Sequence, residues 1–151
     1  MDGELRQLFR KHLPKVFWHS IESGMTGRGV PDSHFCYQSI AGWIEYKQTR
    51  GWAVGMRPEQ VGWALQYARA GGRSFVAVRR RVAEGTRRGA ADELWLVRGT
   101  GAAALKAGGP RGLPSDSLAG QWSGGPAAWA WDAVLAALVS PLFSATNPPT
   151  L

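Results

Sequence analysis

Cysteine is almost missing from this chain. Cys36 is the single one among 151 residues, which excludes an internal disulfide and fits a reducing cytosol. Long hydrophobic runs are missing too. The most apolar stretch, "AAWAWDAVLAALV", is too short to cross a membrane and carries Asp132, so no membrane span and no membrane partner is expected. The opening "MDGELRQLFRKHL" begins with acids and is amphipathic, unlike a secretory leader. A cytoplasmic location is therefore expected. Acidic residues are few, 11 against 18 lysines and arginines, and lysine itself is scarce (Lys11, Lys15, Lys47 and Lys106).

What the chain does have is arginine. The net charge is +7, and residues 73–98 hold Arg73, Arg79, Arg80, Arg81, Arg87, Arg88 and Arg98 against Glu84, Asp92 and Glu93. The planar guanidinium fork suits phosphate, so nucleic acid is the first partner to consider. Arginine at ordinary solvated positions of a chain rich in Ala and Gly is the bland alternative, and charge alone leaves both open.

The hydrophobic pattern gives an element order. Leu5, Leu8, Phe9 and Leu13 recur at helical spacing over residues 3–13, before Pro14. "KVFWHSI" suits a strand; "DSHFCYQ" and "WIEYKQT", joined by a turn at "SIAG", suit a hairpin. "RPEQVGWALQYARAGG" reads as a helix with Pro58 in its first turn and Gly71–Gly72 at its end. "RSFVAVRR" is an apolar strand, "VAEGTRRGAAD" a basic loop, and "ELWLVRG" the last strand expected. A helix crossing between the third and fourth strands makes that pair parallel. The fold class expected is α/β, a mixed sheet flanked by helices. Beyond residue 99 a short helix, a Gly/Pro-rich connector and a final apolar helix are expected, with a frayed tail "SPLFSATNPPTL".

One stretch carries chemistry. In the strand "WIEYKQT", Glu45 and Lys47 are two apart and project from one face, with Trp43 at its edge and Ile44 and Tyr46 opposite. Charged groups in mid-sheet are costly unless they pair or bind something. Asp32, at the start of the preceding strand, approaches the same face if the two strands pair antiparallel. Two carboxylates beside an ammonium would suit a hard divalent cation, Mg²⁺ or Mn²⁺, and a phosphodiester. A surface hairpin with a solvated Glu–Lys pair is the bland reading.

Pro31–Asp32, twelve intervening residues, then Glu45–Tyr46–Lys47 resembles the motif of the PD-(D/E)XK nuclease superfamily. The α-β-β-β-α-β order is similar to that superfamily's restriction-endonuclease-like core. "GRGVPD", "WIEYKQTRGW", "RPEQVGW" and "AGGRSFVAVRR" look like the small virus-type replication-repair (VRR) nuclease domains of phages and the archaeal Holliday-junction resolvases, over roughly residues 3–98. The resemblance implies that Asp32 and Glu45 bind metal, that Lys47 is the catalytic lysine, and that Gln60 stands beside the active site. It implies a further acid, either Glu4 on the opening helix or Glu22 after the first strand. It also suggests a phage or prophage setting in a bacterial cell.

The nuclease core is placed at residues 1–110. Residues 111–151 are left as a connector and an apolar helix that packs on the core or forms a dimer interface. Arg28, Arg50 and Arg57 are candidate DNA contacts, and Trp52 a candidate stacking residue for an unpaired base. Arg79–Arg81 read as a solvated strand exit, with phosphate contact as the functional alternative. His19 and His34 read as ordinary strand residues rather than ligands or general bases, and Trp43 and Trp63 as core. The function expected is metal-dependent endonucleolytic cleavage of DNA, selective for structure such as branches or flaps. A resolvase-like version requires a homodimer. The alternative is a non-catalytic nucleic-acid-binding accessory protein on the same scaffold.

Overall fold

The computed structural model describes residues 2–21, 28–85 and 89–141. Helix α1 (Asp2–His12) is followed by strands β1 (Phe17–Ser20), β2 (Ser33–Tyr37) and β3 (Ile40–Thr49). Helix α2 (Pro58–Arg69) then crosses to β4 (Ser74–Val82), which β5 (Ala91–Arg98) follows. Helix α3 (Ala102–Gly108), strand β6 (Leu118–Trp122) and helix α4 (Trp131–Val139) complete the order, with short 3₁₀ turns between them. The six strands lie in one sheet in chain order, β1 to β6. Only β3 and β4 run parallel; the other neighbours are antiparallel. That is the mixed α/β sheet expected from the helix between "WIEYKQT" and "RSFVAVRR".

Both faces of the sheet are covered, and β4 shows it by alternation. Phe75 and Ala77 join a cluster with Leu5 and Phe9 of α1, Leu13 just after it, and Val134 and Leu138 of α4. Val76 and Val78 face the other way, onto Ala64 of α2 and Ala102 and Leu105 of α3. A strand buried on both sides has no polar face to show, which is why "SFVAV" reads as a continuous apolar run. Leu5 and Phe9 sit one turn apart and are fully buried, so α1 lays a single stripe on the sheet. Phe9 is the hub: its ring meets those of Trp18, Tyr46 and Trp131 edge-on at 6.1, 5.4 and 5.3 Å.

The hairpin turns more tightly than the sequence pattern suggested. It is a two-residue turn at Gln38–Ser39, both with positive φ (47° and 71°), the mirror-image geometry that matches strand twist. The region given as a connector holds a strand: β6 pairs with β5, Leu94 opposite Trp122 and Trp95 opposite Gln121. The last apolar segment packs on its own chain. Arg73, buried at the start of β4, donates from Nη1 to the carbonyl oxygens of Leu138 (3.0 Å) and Ser140 (2.7 Å). A guanidinium thus satisfies the free carbonyls at the C-terminal end of α4, where a positive charge is favoured. The expected frayed tail falls outside the described residues from 142 onward. Among the described residues, no helix is long and apolar enough to cross a membrane.

Candidate functional site

Residues Ser33 and Ile44 are partners in the β2–β3 register, and continuing it by one places Asp32 opposite Glu45. Residues directly opposite in an antiparallel pair project from the same face. Asp32 ends the ladder in an unusual way: its Oδ2 accepts a hydrogen bond from the Tyr46 backbone N–H at 3.0 Å. A side-chain carboxylate thereby occupies the place of a backbone acceptor, which pins it beside β3 next to Glu45. The Asp32 carbonyl is held from the other side by the Ile21 N–H at 2.8 Å.

Glu45, Lys47 and Gln60 form one hydrogen-bonded group. The Gln60 amide donates to Glu45 Oε1 at 3.1 Å, and Lys47 Nζ donates to Gln60 Oε1 at 3.1 Å. Lys47 Nζ itself lies 3.7 Å from Glu45 Oε1. Glu45 and Gln60 are buried (6% and 7% exposed), and the Lys47 side chain is 14% exposed. In such a setting each charge needs close partners, and the amide supplies them to both. Gln60 is itself fixed by the helix. It is the third residue of α2, and its Oε1 also accepts from the Arg57 N–H at 3.0 Å, the reciprocal half of a capping box. Pro58 in the first turn starts the helix at this point.

The loop leading to Asp32 is seated on the same helix start. Gly29 has φ +86°, and a Cβ there would overlap the Glu59 carbonyl. Only glycine permits both that backbone and that approach. This residue was not singled out from the sequence, although a glycine two positions before Pro31–Asp32 was a signal that could have found it. Tyr46, on the opposite face, is buried against α1. Burial pushes its phenol above the ordinary range, and the Asp32 charge adds to that.

The other candidate residues separate. Glu4 is not brought to Asp32 and Glu45. It accepts from Arg79 Nη1 at 3.1 Å, and Arg79 lies over the Trp129 ring on the side of the sheet that carries α1 and α4. Glu22 lies outside the described residues. Arg28 and Arg50 are exposed. Arg57 caps α2 with its side chain 67% exposed, 3.9 Å from Glu59. Arg28 and Arg57 share the end of α2 where Gly29 rests. Trp52 is engaged within the fold: the guanidiniums of Arg80 and Arg111 lie 3.8 and 4.2 Å from its ring centre, and Trp95 meets it edge-on.

Arg79 and Arg80 are not a solvated strand exit, for both are buried. Arg79 makes a two-pronged pair with Asp92 (2.9 and 2.8 Å), which with Glu4 holds its charge more firmly than usual. Arg80 pairs with Glu93. Arg81 alone of the three is exposed.

Asp32, bonded to the Tyr46 N–H, and Glu45, one residue before it on β3, offer two carboxylates. Hard oxygen donors of this kind fit Mg²⁺ or Mn²⁺, which take one or two carboxylates and complete their shell with water and phosphate oxygens. No larger cluster of three or more His, Cys, Asp or Glu side chains able to hold a metal occurs among the described residues. No family model matches this chain, and no curated protein matches it in sequence.

Proposed function

We propose that this chain is a metal-dependent endonuclease of the PD-(D/E)XK superfamily, hydrolysing DNA phosphodiester bonds and selecting DNA by structure rather than sequence. The observation that supports the reading is the buried Glu45–Gln60–Lys47 group, with Asp32 bonded to the same strand through the Tyr46 N–H. A structural ion pair would need no second acid aligned with it and no glutamine shared between acid and amine.

Asp32 and Glu45 would hold the divalent ion, which when bound supplies charge neutralisation on the phosphate and a more acidic water. Asp32 keeps its orientation through the Tyr46 N–H, and Glu45 through the Gln60 amide. Lys47, held by Gln60 Oε1, presents an ammonium to the negative charge that develops on the phosphoryl oxygens. Arg28 and Arg57, exposed beside the same helix start, draw the phosphate backbone to the site. Cutting a four-way junction takes two matched incisions, so a resolvase-like activity requires two copies of the chain.

The test is cleavage of supercoiled, single-stranded, flapped and four-way-junction DNA with Mg²⁺ or Mn²⁺. Cutting that needs the metal and disappears in Lys47→Ala supports the enzyme. Tight binding without cutting under every condition supports an accessory binding protein instead.

A further inference from the structure

Along one face of α2, from its start, stand Arg57, Gln60, Trp63 and Tyr67, at spacings of three, three and four, which keeps them in line. Gln60 is the residue that reaches Glu45 and Lys47. Continuing past it, Trp63 meets Trp43 of β3 edge-on at 5.7 Å and stacks on Tyr67 at 4.8 Å. Trp43 in turn lies 5.1 Å from His34 of β2, its register partner, and His34 is paired with His19 of β1. A row of five rings therefore crosses β1, β2, β3 and α2.

This row runs parallel to the row holding Asp32 and Glu45. His34 is two residues after Asp32 and Trp43 two before Glu45, on the same face. The separation along the strands is about 7 Å, comparable to one nucleotide of extended strand. His19 is exposed, and His34, Trp43, Trp63 and Tyr67 are each partly exposed. On the next rung of the same face, Phe17 is 61% exposed, the large apolar side chain most open to solvent among the described residues. On the other side of the carboxylates are the exposed Arg28 and Arg57.

We infer that the ring row is a stacking platform for unpaired bases, so that the preferred substrate is single-stranded nucleic acid or the unpaired arm of a branched one. The inference rests on the nuclease reading and specifies its substrate. Guanidiniums at one end suit phosphates, the acids and lysine sit in the middle, and ring faces continue on the far side. Bases in a duplex are stacked on one another and present only their edges, whereas every unpaired base offers a π-face to an aromatic side chain. All five rings keep some exposure to solvent, so a base can reach the row.

The experiment is fluorescence anisotropy with labelled oligo-dT and with a labelled duplex, in EDTA so that nothing is cut. The proteins compared are the full chain, His34→Ala, His34→Phe and Trp63→Leu. The single strand should bind about tenfold or more tightly than the duplex. His34→Ala should weaken the single strand about fivefold or more, leave the duplex unchanged, and be restored by His34→Phe. Trp63→Leu should act in the same direction, with circular dichroism checking that the fold is kept. Equal affinity for both forms, or no response of the single strand to either ring removal, overturns the platform. A duplex that is bound, and cut once Mn²⁺ is added, with the rings irrelevant would leave the nuclease standing and remove this inference alone. No binding to either form, with no metal-dependent cutting, would remove both.

Discussion

The Gln60 side-chain amide donates to Glu45 Oε1 across 3.1 Å, while its carbonyl oxygen accepts from Lys47 Nζ and from the Arg57 N–H. One uncharged side chain thus orients an acid, an amine and the first turn of a helix. Replacing Gln60 by Ala leaves the buried Glu45 carboxylate without that donor and frees the lysine. The expected cost is about 1–3 kcal/mol in stability and a drop in cleavage rate of about 10–100-fold, the range seen when groups that orient metal ligands are removed. Urea unfolding and single-turnover cleavage read the two effects separately. An unchanged rate would mean that Gln60 only starts the helix.

Much of this site is readable in the sequence, because it depends on local periodicity. Glu45 and Lys47 share a face by the alternation of a strand, and Pro58 marks where α2 begins. The hairpin places Asp32 because two strands joined by a short turn pair antiparallel. Other features depend on contacts between distant residues. Arg79 and Arg80 read as a solvated exit, yet they are buried, Arg79 paired with Asp92 and Arg80 with Glu93 of β5. Trp52 reads as a loop ring that can stack on an unpaired base, yet two guanidiniums lie over it, one from residue 111. The strand "LAGQW" has glycine at its centre and weak propensity. It exists because β5 offers it an edge to pair with. Glu4 has the position in the chain that the resemblance asks for, but its carboxylate is taken by Arg79.

Two glycines near α2 should respond oppositely to alanine. Gly29→Ala combines a left-handed backbone (φ +86°) with overlap on the Glu59 carbonyl. It should lose about 1–3 kcal/mol and displace the loop that carries Asp32. Gly62 lies inside α2 with open space where a Cβ would go. Gly62→Ala should gain about 0.5–1 kcal/mol by helix propensity. Thermal melts of the two variants check the sign of each change.

Alkaline pH should weaken the fold through Tyr46. Burial raises the phenol pKa in the folded chain above its ordinary value of 10.0. Above that pH the unfolded chain gives up its proton while the folded one keeps it, so the unfolded state binds fewer protons and stability falls as pH rises. The contribution is fully present below pH 10. Between pH 8 and pH 11, Tyr46→Phe should lose about 1 kcal/mol less than the parent protein in urea unfolding. Equal losses would show that the phenol is not held protonated by its surroundings.

The central claim is that Asp32 and Glu45 together hold a divalent cation, and calorimetric titration with Mn²⁺ tests it without any substrate. Asp32→Asn and Glu45→Gln suit the comparison, because each amide oxygen can still accept the hydrogen bond that the carboxylate now accepts. The account predicts saturable binding by the parent protein and a loss of affinity of about tenfold or more in each variant. Equal Mn²⁺ affinity in the parent protein and both variants, or no binding by the parent protein, would contradict it.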